Sequence, residues 1–215
     1  VCKDVELFLS NLDGWVPSQT PQTLPLDHEL PPFHISGQLT SIYQQTMIRY
    51  RLAKLRPRDI VAAFIEHLCL SLSGKHNAPK STRLICKDAV WEFAPLPEPT
   101  IILEDYMAVY WQGLQQPLPF FERSSYAYAF KRIFQGKNQD QAFKDAVQRW
   151  RVGYIGRGES EDDYIRRCFD DLNMVRDEFE SMAARIYTPI FGAGKQLPAG
   201  TNAPINSAHP FMDAH

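Results

Sequence analysis

Residues 30–58 contain no aspartate or glutamate, although the 215-residue chain carries 25 acidic side chains against 23 basic ones. Other absences narrow the function classes. There is no run of ~18 apolar residues and no charged-then-apolar leader, so neither a membrane span nor a signal peptide is expected. Cysteine is scarce and scattered: Cys2, Cys69, Cys86 and Cys168 form no C-x-x-C pair. Reduced thiols are therefore expected, not a disulfide framework. The histidines do not pair with cysteines at zinc-ligand spacing, and His67 in FIEHLCL reads as a surface or partly buried side chain. GYIGRGES and FGAGKQ both lack the Gly-Lys-Ser/Thr ending of a phosphate loop. No G-x-S-x-G elbow marks a serine nucleophile. The net charge of −2 predicts no global attraction to nucleic acid, so any such binding must be local.

What is present describes a folded protein. An apolar fraction of 44% and an aromatic fraction of 12% suffice for a large core. The chain begins at Val1, which reads as a piece of a longer polypeptide. Alternating Val5, Leu7 and Leu9 predict a first strand over 5–11. A Pro-rich insert over 16–32 reads as a surface loop, followed by a hairpin, FHISGQLTSI and TMIRYRLAK, turning at YQQT. In its second strand Ile48, Tyr50 and Leu52 share one face, and Arg49 and Arg51 share the other. Pro57 and Asp59 open a helix whose Ile60, Phe64, Ile65, Leu68 and Cys69 recur at helical spacing. TRLICKD and AVWEFAPL form a second strand pair. Thr100 caps a helix over 101–114, apolar on most sides and expected to be buried, here or against a partner. Asn138 with Gln141, and Ser160 with Asp163, predict two further helix starts. The expected organisation is α/β: a mixed sheet with helices to about residue 116, mostly helix over 120–192, and a flexible tail over 193–215.

The acid-free stretch carries Arg49, Arg51, Lys54, Arg56 and Arg58. Guanidinium groups on a rigid strand suit phosphate oxygens, and five neutralised phosphates predict a salt slope of about −4 to −5 on duplex. Tyr43, Tyr50 and Phe33 are candidates to stack on unpaired bases. A solvated strand face is the alternative reading of the same residues. The densest acidic run, ESEDD at 159–163, is explained by helix capping.

Taken together, ISGQL, RPRDIVAAFIEHLCLSLSG, STRLICKDAVWEFAPL, LPFF and FKDAVQRWRVGYIGRGESEDDYIRRCF resemble the C-terminal domain of the exodeoxyribonuclease V gamma subunit family, RecC. The last stretch is the most specific, through the spacing of Trp150, Gly153-Tyr154, Gly158-Glu159, Asp163 and Tyr164. The resemblance implies a restriction-endonuclease-like mixed β-sheet flanked by helices, with an additional helical C-terminal portion and no active site. An active relative carries an Asp soon after a G-x-apolar strand and an acid-x-Lys on the next. Here Thr40 follows Gly37-Gln38-Leu39, and Arg49, Tyr50 and Arg51 stand on the following strand. Such groups cannot gather a hard divalent cation, which needs oxygen ligands.

By that resemblance the chain is a non-catalytic domain of a cytoplasmic bacterial helicase-nuclease acting in double-strand break repair by homologous recombination. Its partners would be the beta (RecB) and alpha (RecD) subunits and double- and single-stranded DNA, with no membrane. No cofactor is expected in this domain; ATP and Mg²⁺ would belong to other subunits. Two alternatives stay open. One is a pure protein-interaction scaffold using the 101–114 helix and the run YAYAFKRIF. The other is a working metal-dependent nuclease whose acids have moved to Glu159 or Asp163.

Overall fold

A computed structural model describes residues 5, 6, 8, 9, 12, 15–44, 46–73, 80–151 and 158–197. The chain is mixed α/β. Six strands, β1 (Gln22–Leu30), β2 (Phe33–Tyr43), β3 (Thr46–Arg51), β4 (Ser81–Cys86), β5 (Val90–Phe93) and β6 (Gly194–Leu197), lie side by side in chain order. All neighbours are antiparallel except β3 and β4, which pair in parallel from Thr46↔Ser81 to Arg51↔Cys86. A parallel pair needs a crossover, and helix α1 (Pro57–Leu72) provides it.

The start of α1 is written locally. Pro57 occupies the first turn, where no amide hydrogen is needed, and the Asp59 carboxylate accepts from the Arg56 backbone N–H at 3.0 Å. Its apolar stripe, Ile60, Ala63, Phe64 and Leu68, is fully buried against Met47, Leu84 and Trp91 of the sheet. Cys69 joins the same core, as its place in the helix pattern predicts.

His67 lies in this stripe and is completely buried, not at the surface. A carbonyl only accepts, so Nε2 carries the hydrogen and donates to Ala94 at 2.9 Å, while Nδ1 accepts from the Thr82 hydroxyl at 2.9 Å. Burial pushes its pKa down to about 4, against a smaller upward pull from the Ala94 carbonyl.

The remaining helices are α2 (Pro99–Gln115), α3 (Glu122–Ala129), α4 (Gln139–Arg151), α5 (Asp163–Cys168) and α6 (Arg176–Ala193). Helix α6 joins two cores. Its Phe179 and Ala183 pack with Phe121, Phe143 and Trp150 of the helical portion, and its Met182, Ile186 and Ile190 pack beneath the sheet. The run YAYAFKRIF forms the second half of α3 and a π-helical turn, Phe130–Phe134, and packs largely inward: Tyr126 packs on Tyr187 and Phe191, and Phe130 on the partly exposed Phe134.

Several expectations change. The described residues of 5–11 are helical, with Phe8, Leu12 and Trp15 burying a second sheet face made by Ile48, Ile85 and Val90. Spacings of four and three outweigh the shorter alternation, whose Leu9 is exposed. The Pro-rich insert contains β1; as an edge strand it tolerates Pro25, because one side of the ladder needs no donor. Helix α2 starts at Pro99, not with a Thr100 cap. Asp162, not Ser160, caps α5, accepting from Tyr164 and Ile165 backbone N–H groups at 2.9 and 3.1 Å. Asn138 does cap α4, accepting from Gln141 N–H at 2.9 Å.

The start of the expected tail also changes. Residues 194–197 form β6, held where Lys195 meets the buried Glu92 at 3.3 Å. Burial would raise the Glu92 carboxyl, but the Arg83 hydrogen bond at 2.6 Å and the Lys195 charge outweigh it and hold it below its ordinary range. Residues 198–215 lie outside the described residues.

Linkage at His67 generates a prediction. The unfolded imidazole titrates near 6.5 and the native one near 4, so the unfolded chain binds more protons between these values. Stability is full above pH ~6.5 and falls toward pH ~4, by up to roughly 3 kcal/mol from this group. Urea midpoints measured across that window should fall, and His67→Gln should flatten this part of the profile.

Candidate nucleic-acid interface

The β2–β3 hairpin is placed by a bulge. Gln22 pairs with Ile42 but Leu24 pairs with Leu39, so Thr40 and Ser41 together oppose the single residue Thr23. Ser41 takes the left-handed conformation, at φ 58°. Arg49 Nη1 donates to the Thr40 carbonyl at 2.6 Å, so the structure brings together two of the four positions named by the resemblance, Thr40 and Arg49. Arg49 Nε also pairs with Glu66 of α1, and Arg51 Nη1 pairs with Asp59 of the same helix.

The predicted alternation of β3 holds. Arg49 and Arg51 face α1, and Ile48 joins the opposite sheet face. Carboxylates absent from 30–58 thus reach this stretch from the next element. Two of the five candidate cations are compensated inside the fold, and Arg49 stands against the oxygens of Thr40 and Glu66. A divalent cation does not fit that arrangement, because a guanidinium occupies the place among its oxygens. Among the described residues, no three His, Cys, Asp or Glu side chains converge as a metal-binding group.

Beyond β3 the chain bends at Leu52–Ala53, where Ala53 N–H donates to the Arg51 carbonyl at 2.8 Å, and is pinned where Leu55 N–H donates to Asp88 at 2.7 Å and Lys87 N–H donates to the Ala53 carbonyl at 2.9 Å. Tyr50, Leu52, Lys54, Arg56 and Arg58 are exposed, while Arg51, Ala53, Leu55 and Pro57 between them are half-buried. This produces an outward row: an aromatic ring, an aliphatic side chain and three cations, the last of them, Arg58, in the first turn of α1. Only Arg58 has an ion-pair partner among the described residues, Glu122 at 4.0 Å, and both side chains are substantially exposed. Such a pair contributes little. Of the other aromatic candidates, Tyr43 packs against the second sheet face and Phe33 meets the Trp111 ring edge-on at 6.0 Å.

The acids proposed as relocated ligands have other work. Glu159 is buried and caps α3, accepting from Arg123 N–H at 2.8 Å, Ser124 N–H at 2.9 Å and the Ser124 hydroxyl at 2.5 Å. Gly158 lets the backbone reach it: a Cβ there would collide with the Trp150 carbonyl. The specific Gly158-Glu159 spacing is therefore a tertiary cap across 35 residues. Asp163 is a largely exposed first-turn residue, 4.0 Å from Arg166. These acids line a groove of about 660 Å³ with Pro117, Leu118 and Phe169. Sequence reading missed Glu66 and gave Asp59 only its place at the start of the helix; their spacing of seven residues on α1 was the available signal for a shared face.

Residues 1–133 match the family described as RecC C-terminal domain. The chain belongs to that family. It is 25% identical over 152 residues to RecBCD enzyme subunit RecC of Buchnera aphidicola subsp. Acyrthosiphon pisum (strain APS), covering 66% of this chain and 14% of the relative. It is also 25% identical over 182 residues to the RecC of Buchnera aphidicola subsp. Schizaphis graminum (strain Sg), covering 80% of this chain and 17% of the relative. The chain therefore spans about one-sixth or less of these relatives.

The Glu159 cap yields a prediction. Glu159→Gln keeps the size but removes the charge that holds two backbone N–H groups, so it should cost about 1–3 kcal/mol in thermal or urea unfolding.

Proposed function

We propose that this domain is a non-catalytic DNA-guiding and subunit-docking part of a RecBCD-type helicase-nuclease, acting in double-strand break repair by homologous recombination. The single observation that carries the non-catalytic reading is Arg49, whose guanidinium lies between the Thr40 carbonyl and Glu66. Hydrolysis by a bound metal needs carboxylates free to hold it. Here the nearest carboxylate is already neutralised by an arginine. Family membership and the mixed sheet support a restriction-endonuclease-like origin for the domain. The complex would be cytoplasmic, with ATP and Mg²⁺ bound by its other subunits.

Backbone contact is assigned to the outward row. Lys54, Arg56 and Arg58 meet phosphates without reading bases, and Tyr50, 58% exposed, is available to stack on an unpaired base. Three contacts give a salt slope of about −2 to −3, shallower than five would. Changing Lys54, Arg56 and Arg58 together to Ala should weaken binding to a forked duplex and flatten that slope, as read by fluorescence anisotropy. Unchanged binding would refute the assignment.

Docking rests on α2. Only Leu103 and Tyr106 of this helix are fully buried; Ile101, Tyr110, Trp111 and Leu114 are 53–61% exposed. Met107, Tyr110, Trp111 and Leu114 lie at helical spacing on one face of its second half, an apolar stripe suited to the beta or alpha subunit. Tyr110→Ser with Leu114→Ser should leave stability within about 0.5 kcal/mol of the parent and reduce co-purification with those subunits. Retained assembly would remove α2 from the interface.

A further inference from the structure

We infer that Glu66 and Asp59 are built-in competitors of nucleic-acid phosphate, holding Arg49 and Arg51 out of the contact surface. This rests on the nucleic-acid reading above and adds to it which cations are withheld, and by what.

Arg49 and Arg51 lie on the same strand as the start of the outward row, and their side chains remain 21% and 31% exposed. They are not sealed in the core. Each is paired with one carboxylate of α1, Arg49 with Glu66 and Arg51 with Asp59. A carboxylate and a phosphodiester offer a guanidinium the same kind of charged oxygen acceptors. Exchanging one for the other therefore replaces one charge-assisted bond by another, with little net gain.

The two acids differ in what else they do. Asp59 also accepts from the Arg56 backbone N–H at 3.0 Å, so it is tied to the start of α1. Glu66 is mid-helix, 39% exposed, and bonds Arg49. Removing its charge releases Arg49 with little cost to the helix. Arg49 keeps its bond to the Thr40 carbonyl and so stays anchored to β2.

The test compares this chain with Glu66→Gln, each with and without Arg49→Ala, on a fluorescently labelled forked duplex from about 50 to 200 mM salt. Glu66→Gln should steepen the salt slope by about 0.7–0.9 and tighten binding roughly tenfold at the low-salt end. Arg49→Ala should abolish the gain in the Glu66→Gln background; in the parent background it leaves the Glu66 carboxylate unpaired and should not tighten binding. The double variant, which lacks both charges, should therefore bind like the parent, and melting curves confirm that each variant is folded. The competition is overturned if Glu66→Gln binds like the parent while the Lys54, Arg56 and Arg58 triple variant weakens. It is equally overturned if the Glu66→Gln gain persists in full when Arg49 is also changed to Ala. If the triple variant binds like the parent, the nucleic-acid reading itself falls.

Discussion

Parallel pairing of β3 with β4 is the constraint on which the rest of the molecule depends. Antiparallel strands can be joined by a tight turn, but this pair has to be bridged by a helix lying on the sheet. That helix is α1. Its apolar stripe builds the main core, and the same placement brings Glu66 and Asp59 onto the two β3 arginines. Core formation and charge compensation follow from one topological fact.

The two faces of the sheet treat charge differently. On the α1 side, guanidinium–carboxylate pairs lie at the margin of the core, partly open to water. On the other side, Glu92 is almost wholly buried between Arg83 and Lys195, and the Arg83 guanidinium lies 4.7 Å from the Trp15 ring centre. A buried carboxylate without those partners would carry a large desolvation penalty, so β6 and the N-terminal helical residues are coupled through one ion network. Half-open pairs remain exchangeable. Enclosed ones fix structure.

The helical portion is joined to the sheet by α6, whose successive turns face two different cores. Long-range polar contacts reinforce the junction. Tyr106 of α2 bonds the Ile186 carbonyl, and Arg185 forms a fork with Asp105 at 2.6–3.0 Å. Glu159 performs a similar service for α3 from a segment far along the chain. The acid-rich run thus serves mainly to organise helix starts.

Periodicity alone determined much here: α1 and its buried stripe, the β2–β3 and β4–β5 hairpins, the opposite facing of Arg49 and Tyr50, and the inward stripe of α6. These are local features, set by side-chain spacing and turn residues within a few positions. Other outcomes needed the tertiary structure, because the deciding partner lies elsewhere in the chain. The edge position of β1 made Pro25 tolerable in a strand, and the second sheet face turned an alternating N-terminal stretch into a helix. His67 became a buried neutral core residue because Thr82 and Ala94 supply its hydrogen bonds. The charge of the basic stretch was decided the same way. Composition placed five cations there, but only packing of α1 on β3 distinguished the two that are neutralised from the three that face water.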